Sequence, residues 1–224
     1  MATDTGIRSG LPAEHNLFTG MPMKPQAELS VGRWSAAGLS RAGLVVLALS
    51  IAVCARAAQP VIDNERVTVR EISDTIPAVQ HDFVAVPLSR PGTASAGRMG
   101  SAAGAPGAPT VLIELKDYPV APIANSSGYP LAFPRPRVEK LFENERVIVW
   151  SYRWLPGEPT PIHYHDKDVV VVYEEDMTLK STTPDGKSVL NAHKSGDIRF
   201  NRRDRTHTEL LVSNSGSAVI TELK

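Results

Sequence analysis

Gly157-Glu158-Pro159-Thr160-Pro161-Ile162-His163-Tyr164-His165-Asp166-Lys167-Asp168-Val169-Val170-Val171-Val172-Tyr173 is the stretch whose reading decides the fold of this 224-residue chain. Two histidines one residue apart lie on one face of a β-strand, because side chains alternate with a period of two. Their imidazoles therefore converge, and a third histidine from a neighbouring strand can complete a metal site. The valine run after them is too short for a helix of useful length and rich in β-branched residues, so it predicts a buried strand. Further on, Gly196-Asp197 is followed by a histidine, His207. These residues hold most of what the sequence says about function.

Outward from this stretch the pattern stays β-rich. Val147–Trp154 alternates and places Trp150, Tyr152 and Trp154 on one face, read as core in preference to a dimer face. Further strands are expected at Asp168–Tyr173, Met177–Ser181, Ser188–Leu190, Ile198–Phe200, Thr208–Val212 and Ala218–Leu223, with a tight turn at Pro184-Asp185-Gly186-Lys187. No amphipathic helix of useful length appears. So many short strands in so little chain predict a small all-β sandwich or barrel over 138–224.

Upstream, three stretches echo this region in the same order. Asn64-Glu65-Arg66-Val67 recurs as Asn144-Glu145-Arg146-Val147, and His81-Asp82 before an apolar strand resembles His165-Asp166 before the valines. Val111-Leu112-Ile113-Glu114-Leu115-Lys116 resembles Val219-Ile220-Thr221-Glu222-Leu223-Lys224. A truncated β-module is therefore expected over 58–116, with a Gly/Ala/Ser/Pro tract between Pro91 and Pro109 where the later copy has strands. The Pro-rich segment 117–137 is expected to connect the two, Pro134-Arg135-Pro136 keeping it extended.

Residues 1–57 read as a disordered n-region followed by an apolar run, Ala42 to Ala55, flanked by arginines. That run falls short of the roughly 20 residues that span a bilayer and fits a secretory signal ending near Ala57, or an uncleaved anchor over 42–55. Export to the periplasm or beyond the cell is the expectation. The whole chain balances 24 basic against 24 acidic residues. The first 57 residues hold 5 of the former and 3 of the latter, leaving 19 against 21, so no polyanionic partner is called for and nucleic acid is not expected. The single cysteine, Cys54, lies in the apolar run and says nothing about redox compartment.

These residues resemble the cupin superfamily, small jelly-roll (double-stranded β-helix) barrels with motifs G-x5-H-x-H-x3,4-E-x6-G and G-x5-P-x-G-x2-H-x3-N. Gly157, His163 and His165 match the first motif in spacing, while its glutamate falls at Val169 and its last glycine at Asp176. In the second, Gly196 and His207 match, and the proline, second glycine and asparagine fall at Arg202, Asp204 and Leu211. The resemblance implies an all-β cupin barrel over 138–224, preceded by a cut-down second module. It also implies a divalent transition metal (Fe, Mn, Ni or Zn) held by His163, His165 and His207 without the usual carboxylate. By strand parity Val169 looks into the barrel and Asp168 outward.

Glu209 shares the parity of His207 and is the candidate acid–base group, the bland alternative being a rim-exposed carboxylate. Arg202 and Arg205, within the basic run Arg199, Arg202, Arg203 and Arg205, are candidate substrate-binding residues, or else a solvated loop. His193 is expected to be exposed at a turn, His81 to be structural, and Tyr164 to face away from the metal. The family's activities leave two readings open. One is a metal-dependent oxidoreductase of dioxygenase type, or an isomerase, acting on a small anionic molecule. The other is a non-catalytic barrel that binds a small ligand or metal. Homodimerisation is expected because it is common among small cupins.

Overall fold

The computed structural model describes residues 59–73, 79–98, 108–118, 120–121 and 123–224. The expected signal or anchor lies outside the described residues, as does most of the Gly/Ala/Ser/Pro tract. Among the described residues no helix is long and apolar enough to cross a membrane.

The described chain is all β. Its strands are β1 (Ile62–Asp63), β2 (Val67–Ile72), β3 (Phe83–Pro87), β4 (Ser95–Gly97), β5 (Thr110–Leu115), β6 (Val138–Glu143), β7 (Val147–Arg153), β8 (His163–His165), β9 (Asp168–Tyr173), β10 (Met177–Thr182), β11 (Ser188–His193), β12 (Ile198–Asn201), β13 (Arg205–Leu211) and β14 (Ser217–Leu223). They form three antiparallel sheets in the orders β1-β2-β5-β3-β4, β11-β10-β13-β8 and β12-β9-β14-β7-β6. From β7 onward the chain passes back and forth between the last two sheets, placing β7, β9, β12 and β14 in one and β8, β10, β11 and β13 in the other. This is the strand order of an eight-stranded jelly roll.

The interior of this barrel is filled by Trp150, Tyr152, Trp154, Val169, Val171, Tyr173, Met177, Leu179, Leu211 and Ile220, all buried. Trp150, Tyr152 and Trp154 are thus core. The opposite face of the β7-β9-β14 sheet, with Val147, Val149, Val170, Val172 and Val219, packs on Val67, Val69, Val84, Val86, Val111 and Ile113 of the first sheet. Because alternate residues of the valine run serve two cores, the run reads as continuously apolar.

The first sheet repeats the strand order and register of the sheet it packs on. Val67 pairs with Leu115 as Val147 pairs with Leu223. Asn64 Oδ1 accepts from the amides of Arg66 (2.8 Å) and Val67 (3.0 Å), and Asn144 Oδ1 accepts from those of Arg146 (2.8 Å) and Val147 (2.9 Å). The middle echo shifts by two residues. Phe83 pairs with Glu114 where Val169 pairs with Glu222, so Asp82 corresponds to Asp168, not to Asp166. The shift keeps strand parity, which is why the apolar pattern did not expose it. Among the described residues no second sheet covers the other face of the first sheet, where Ile72, Val79, Phe83, Ala85 and Leu112 cluster.

Candidate metal centre

Three elements bring the histidines together. His163 and His165 lie on β8, and β13 runs antiparallel beside it with His207 directly across from His163. The sequence reading began this strand at Thr208. It begins at Arg205, because residues 205–207 complete the ladder with β8. The glycines of the motifs hold the turns that lead here: Gly157 and Gly196 have φ of 74° and 90°, a region open to glycine at little cost. Asp204, where the second motif places its other glycine, also has positive φ (62°) and accepts the Tyr164 hydroxyl at 3.1 Å. Aspartate is one of the few residues that tolerate this conformation. Tyr164 consequently points away from the histidines.

The three imidazoles form a nearly equilateral triangle, with ring centroids 4.8, 5.0 and 5.1 Å apart and every ring buried. One nitrogen from each lies within 4.8 Å of the others. His163 Nδ1 donates to the Pro161 carbonyl at 2.7 Å, which leaves the Nε2 lone pair free, as in metal-ligating histidines. His207 Nδ1 is 3.1 Å from Ser181 Oγ, and its Nε2 faces His165 Nε2 at 3.1 Å. Two lone pairs so opposed repel unless a proton or a cation lies between them. Burial and the neighbouring Arg135 push the His163 pKa down to about 3. Burial likewise holds His165 and His207 below the usual histidine range. The rings are therefore neutral at pH 7, the form in which imidazole ligates metal. The donor set, three neutral imidazoles, fits a divalent metal ion.

Among the described residues no carboxylate joins the three rings. Val169 faces the lumen, and directly across the ladder from it stands Glu222, buried and bonded by Trp150 Nε1 at 2.8 Å. Burial raises the Glu222 pKa. Asp168 points out of the barrel, as parity required. It is nonetheless buried, because Arg66 of the first sheet pairs with it at 2.9 Å.

His165 and His207 line a lumen of about 290 Å³, together with Tyr173, His193, Asn191, Asn201, Arg199, Arg205, Glu209 and Arg135. Glu209 accepts from Trp154 Nε1 at 3.1 Å and lies 3.7 Å from Arg135 Nη2. Burial opposes its ionisation, but His207 once protonated, the Arg135 guanidinium and the Trp154 hydrogen bond outweigh it and hold the carboxyl below its usual pKa. Arg205 reaches the lumen. Arg202 does not: it pairs with Glu65 at 2.7 Å on the outside, and Arg199 stands at the lumen in its place. Arg203 donates to the Ala121 carbonyl. The expectation that His193 is exposed is overturned. It is buried and stacked on Tyr173, ring centroids 3.7 Å apart at 10°, because β11 continues to His193 beside Met177 and turns that side chain inward.

The residue that the sequence reading missed is Arg135. Segment 130–132 runs along β8, with Ala132 N bonded to Tyr164 O and Tyr164 N to Pro130 O, each at 2.8 Å, and so feeds Phe133 and Arg135 into the lumen. The guanidinium packs over the rings of Tyr152 (4.2 Å) and Phe133 (4.9 Å). Its Nη1 lies 2.8 Å from His163 Nε2 and 3.2 Å from Nδ1. Both nitrogens belong to one ring, so the guanidinium lies against that ring and not on the axis of its lone pair. The Pro-x-Pro context of Arg135 gave no sign of this.

No family model matches the chain. The β-alanine degradation protein BauB of Pseudomonas aeruginosa is 43% identical over 60 residues, 27% of this chain; the match spans 59% of that relative's length. A Cupin 2 conserved barrel domain protein from Leptotrichia buccalis aligns over 74% of this chain and 87% of its own, at 12% identity and a TM-score of 0.40. A cupin domain from Bordetella pertussis is 30% identical over 43% of this chain and 96% of its own, with a TM-score of 0.37. With 30% identity across nearly the whole of that domain, and the Gly157–His163–His165 and Gly196–His207 spacings in place, the chain belongs to the cupin superfamily.

Proposed function

We propose that this cupin binds a divalent transition metal on His163, His165 and His207 and uses it to transform a small anionic substrate, as an oxidoreductase of dioxygenase type or an isomerase. The observation that carries the reading is the buried triangle of neutral imidazoles, with one nitrogen of each within 4.8 Å of the others and two of the rings lining a lumen. A bound ion would supply Lewis acidity and open coordination positions. The chain's own residues do the rest. Arg205 and Arg199 attract and orient an anion in the lumen, and the His193–Tyr173 stack forms an aromatic wall. Glu209, ionised and fixed by Trp154, is placed to take a proton from substrate. In this reading the chain is exported, residues 1–57 serving as signal or anchor, and 58–116 is a cut-down copy of 138–224, as the matched registers support.

Elemental analysis of the untagged full chain, purified without chelator, tests this. About one transition metal per chain is expected, and none in His163→Ala or His207→Ala, each of which stays folded by circular dichroism. Full metal retention in both variants would refute the site. A folded protein that takes up no iron, manganese, nickel or zinc would leave the second reading, a non-catalytic barrel that holds a small ligand.

A further inference from the structure

We infer that Arg135 makes the histidine site depend on an anion: the ion is held firmly only together with a small carboxylate that binds the ion's open position and the Arg135 guanidinium at once. This rests on the metal reading above.

The reasoning starts from charge. Arg135 is nearly buried, its side chain 6% exposed, and a guanidinium does not lose its proton in proteins. Its Nη1 is 2.8 Å from His163 Nε2, and zinc–nitrogen bonds are about 2.0–2.1 Å, so an ion on that nitrogen stands within about 5 Å of Nη1 whatever its direction. A cation and a divalent ion at that range, inside a protein, repel strongly. Nothing in the ligand set offsets this, because Val169 stands where the family's glutamate would. Glu209 lies 3.7 Å from Arg135 and balances at most that one charge, while accepting from Trp154 as well. Arg199 and Arg205 add two positive charges, and neither forms an ion pair among the described residues. An ion entering this lumen would therefore lack a counter-charge.

The geometry points to where that charge belongs. Tyr152 and Phe133 hold the guanidinium in place, and its Nε is buried without a hydrogen-bond partner among the described residues. A planar fork held beside the ligand nitrogens suits a carboxylate, which can accept from Arg135 with one oxygen and face the ion with the other.

Nickel affinity, measured by calorimetry on the untagged full chain with and without acetate, tests the coupling; perchlorate matches the ionic strength. Acetate should tighten nickel binding to the wild type by roughly tenfold or more. Arg135→Met should bind nickel alone about as tightly as the wild type does with acetate, and should respond little to acetate. An unchanged wild-type affinity in acetate, a comparison that needs no variant, would overturn the inference. So would a full acetate effect in Arg135→Met. Failure of both proteins to bind nickel under either condition would instead overturn the metal reading itself.

Discussion

The two sheets that pack back to back share strand order, ladder register and even the asparagine turn, yet only one faces a candidate site. The β12-β9-β14-β7-β6 sheet is faced by a second sheet, and the histidines come from β8 and β13 of that second sheet. The β1-β2-β5-β3-β4 sheet lacks such a partner among the described residues. In place of a site it offers a valine face to the shared core and Arg66 to Asp168. The difference teaches that the candidate ligands come from the covering sheet, while the first sheet supports the barrel from behind.

The largest test of this division is the shared core. Val86→Asp and Val172→Asp, one on each sheet, should each cost more than about 4 kcal/mol, because each buries an unpaired charge in the same cluster. If the two sheets are one cooperative unit, either variant abolishes the single unfolding transition in urea. A surviving transition with intact metal binding in Val86→Asp would show that the barrel stands alone.

Arg66 and Arg146 occupy equivalent turns but different surroundings, so they should separate next. Arg66→Met strands a buried Asp168 and should cost about 3–5 kcal/mol. Arg146→Met breaks a pair with Asp117 that is largely exposed, worth about 0–1 kcal/mol, plus its bonds to the Leu115 and Lys116 carbonyls. Equal losses in chemical denaturation would mean that the two turns are energetically alike after all.

Acid should act through the barrel. His163 is held near pKa 3 when folded, against about 6.5 unfolded, so as pH falls the unfolded chain takes the proton first and stability drops. For the chelator-treated protein His163 alone should account for about 2 kcal/mol lost between pH 7 and pH 5. The lowered pKa values of His165, His207 and His193 act in the same direction. A His163→Gln variant should show a visibly flatter profile, and an identical one would contradict the neutral-ring assignment. The smallest effect is the shared turn: Asn64→Ala and Asn144→Ala should each cost about 1 kcal/mol, and by similar amounts.

Much of the barrel was legible in the sequence, for local reasons. Period-two alternation put Trp150, Tyr152 and Trp154 inside, Val169 toward the lumen and Asp168 away from it. Motif spacing found all three histidines. Where the reading stopped, the missing information was non-local. His193 looked like a turn residue because only its pairing with Met177 extends β11 that far. Arg202 and Arg199 are equally basic, and only the course of the chain after β12 sends one to Glu65 and the other to the lumen.

By itself, then, the sequence determined the all-β class, the repeat and the histidine set, because strand periodicity and turn chemistry are written in neighbouring residues. Only the tertiary structure decided that Glu222 stands across from Val169, that Arg66 neutralises Asp168, and that a connector arginine lies against a candidate ligand. Each of these joins residues 28 or more positions apart. Charge placement inside a barrel is a property of what packs together, and a linear pattern does not carry it.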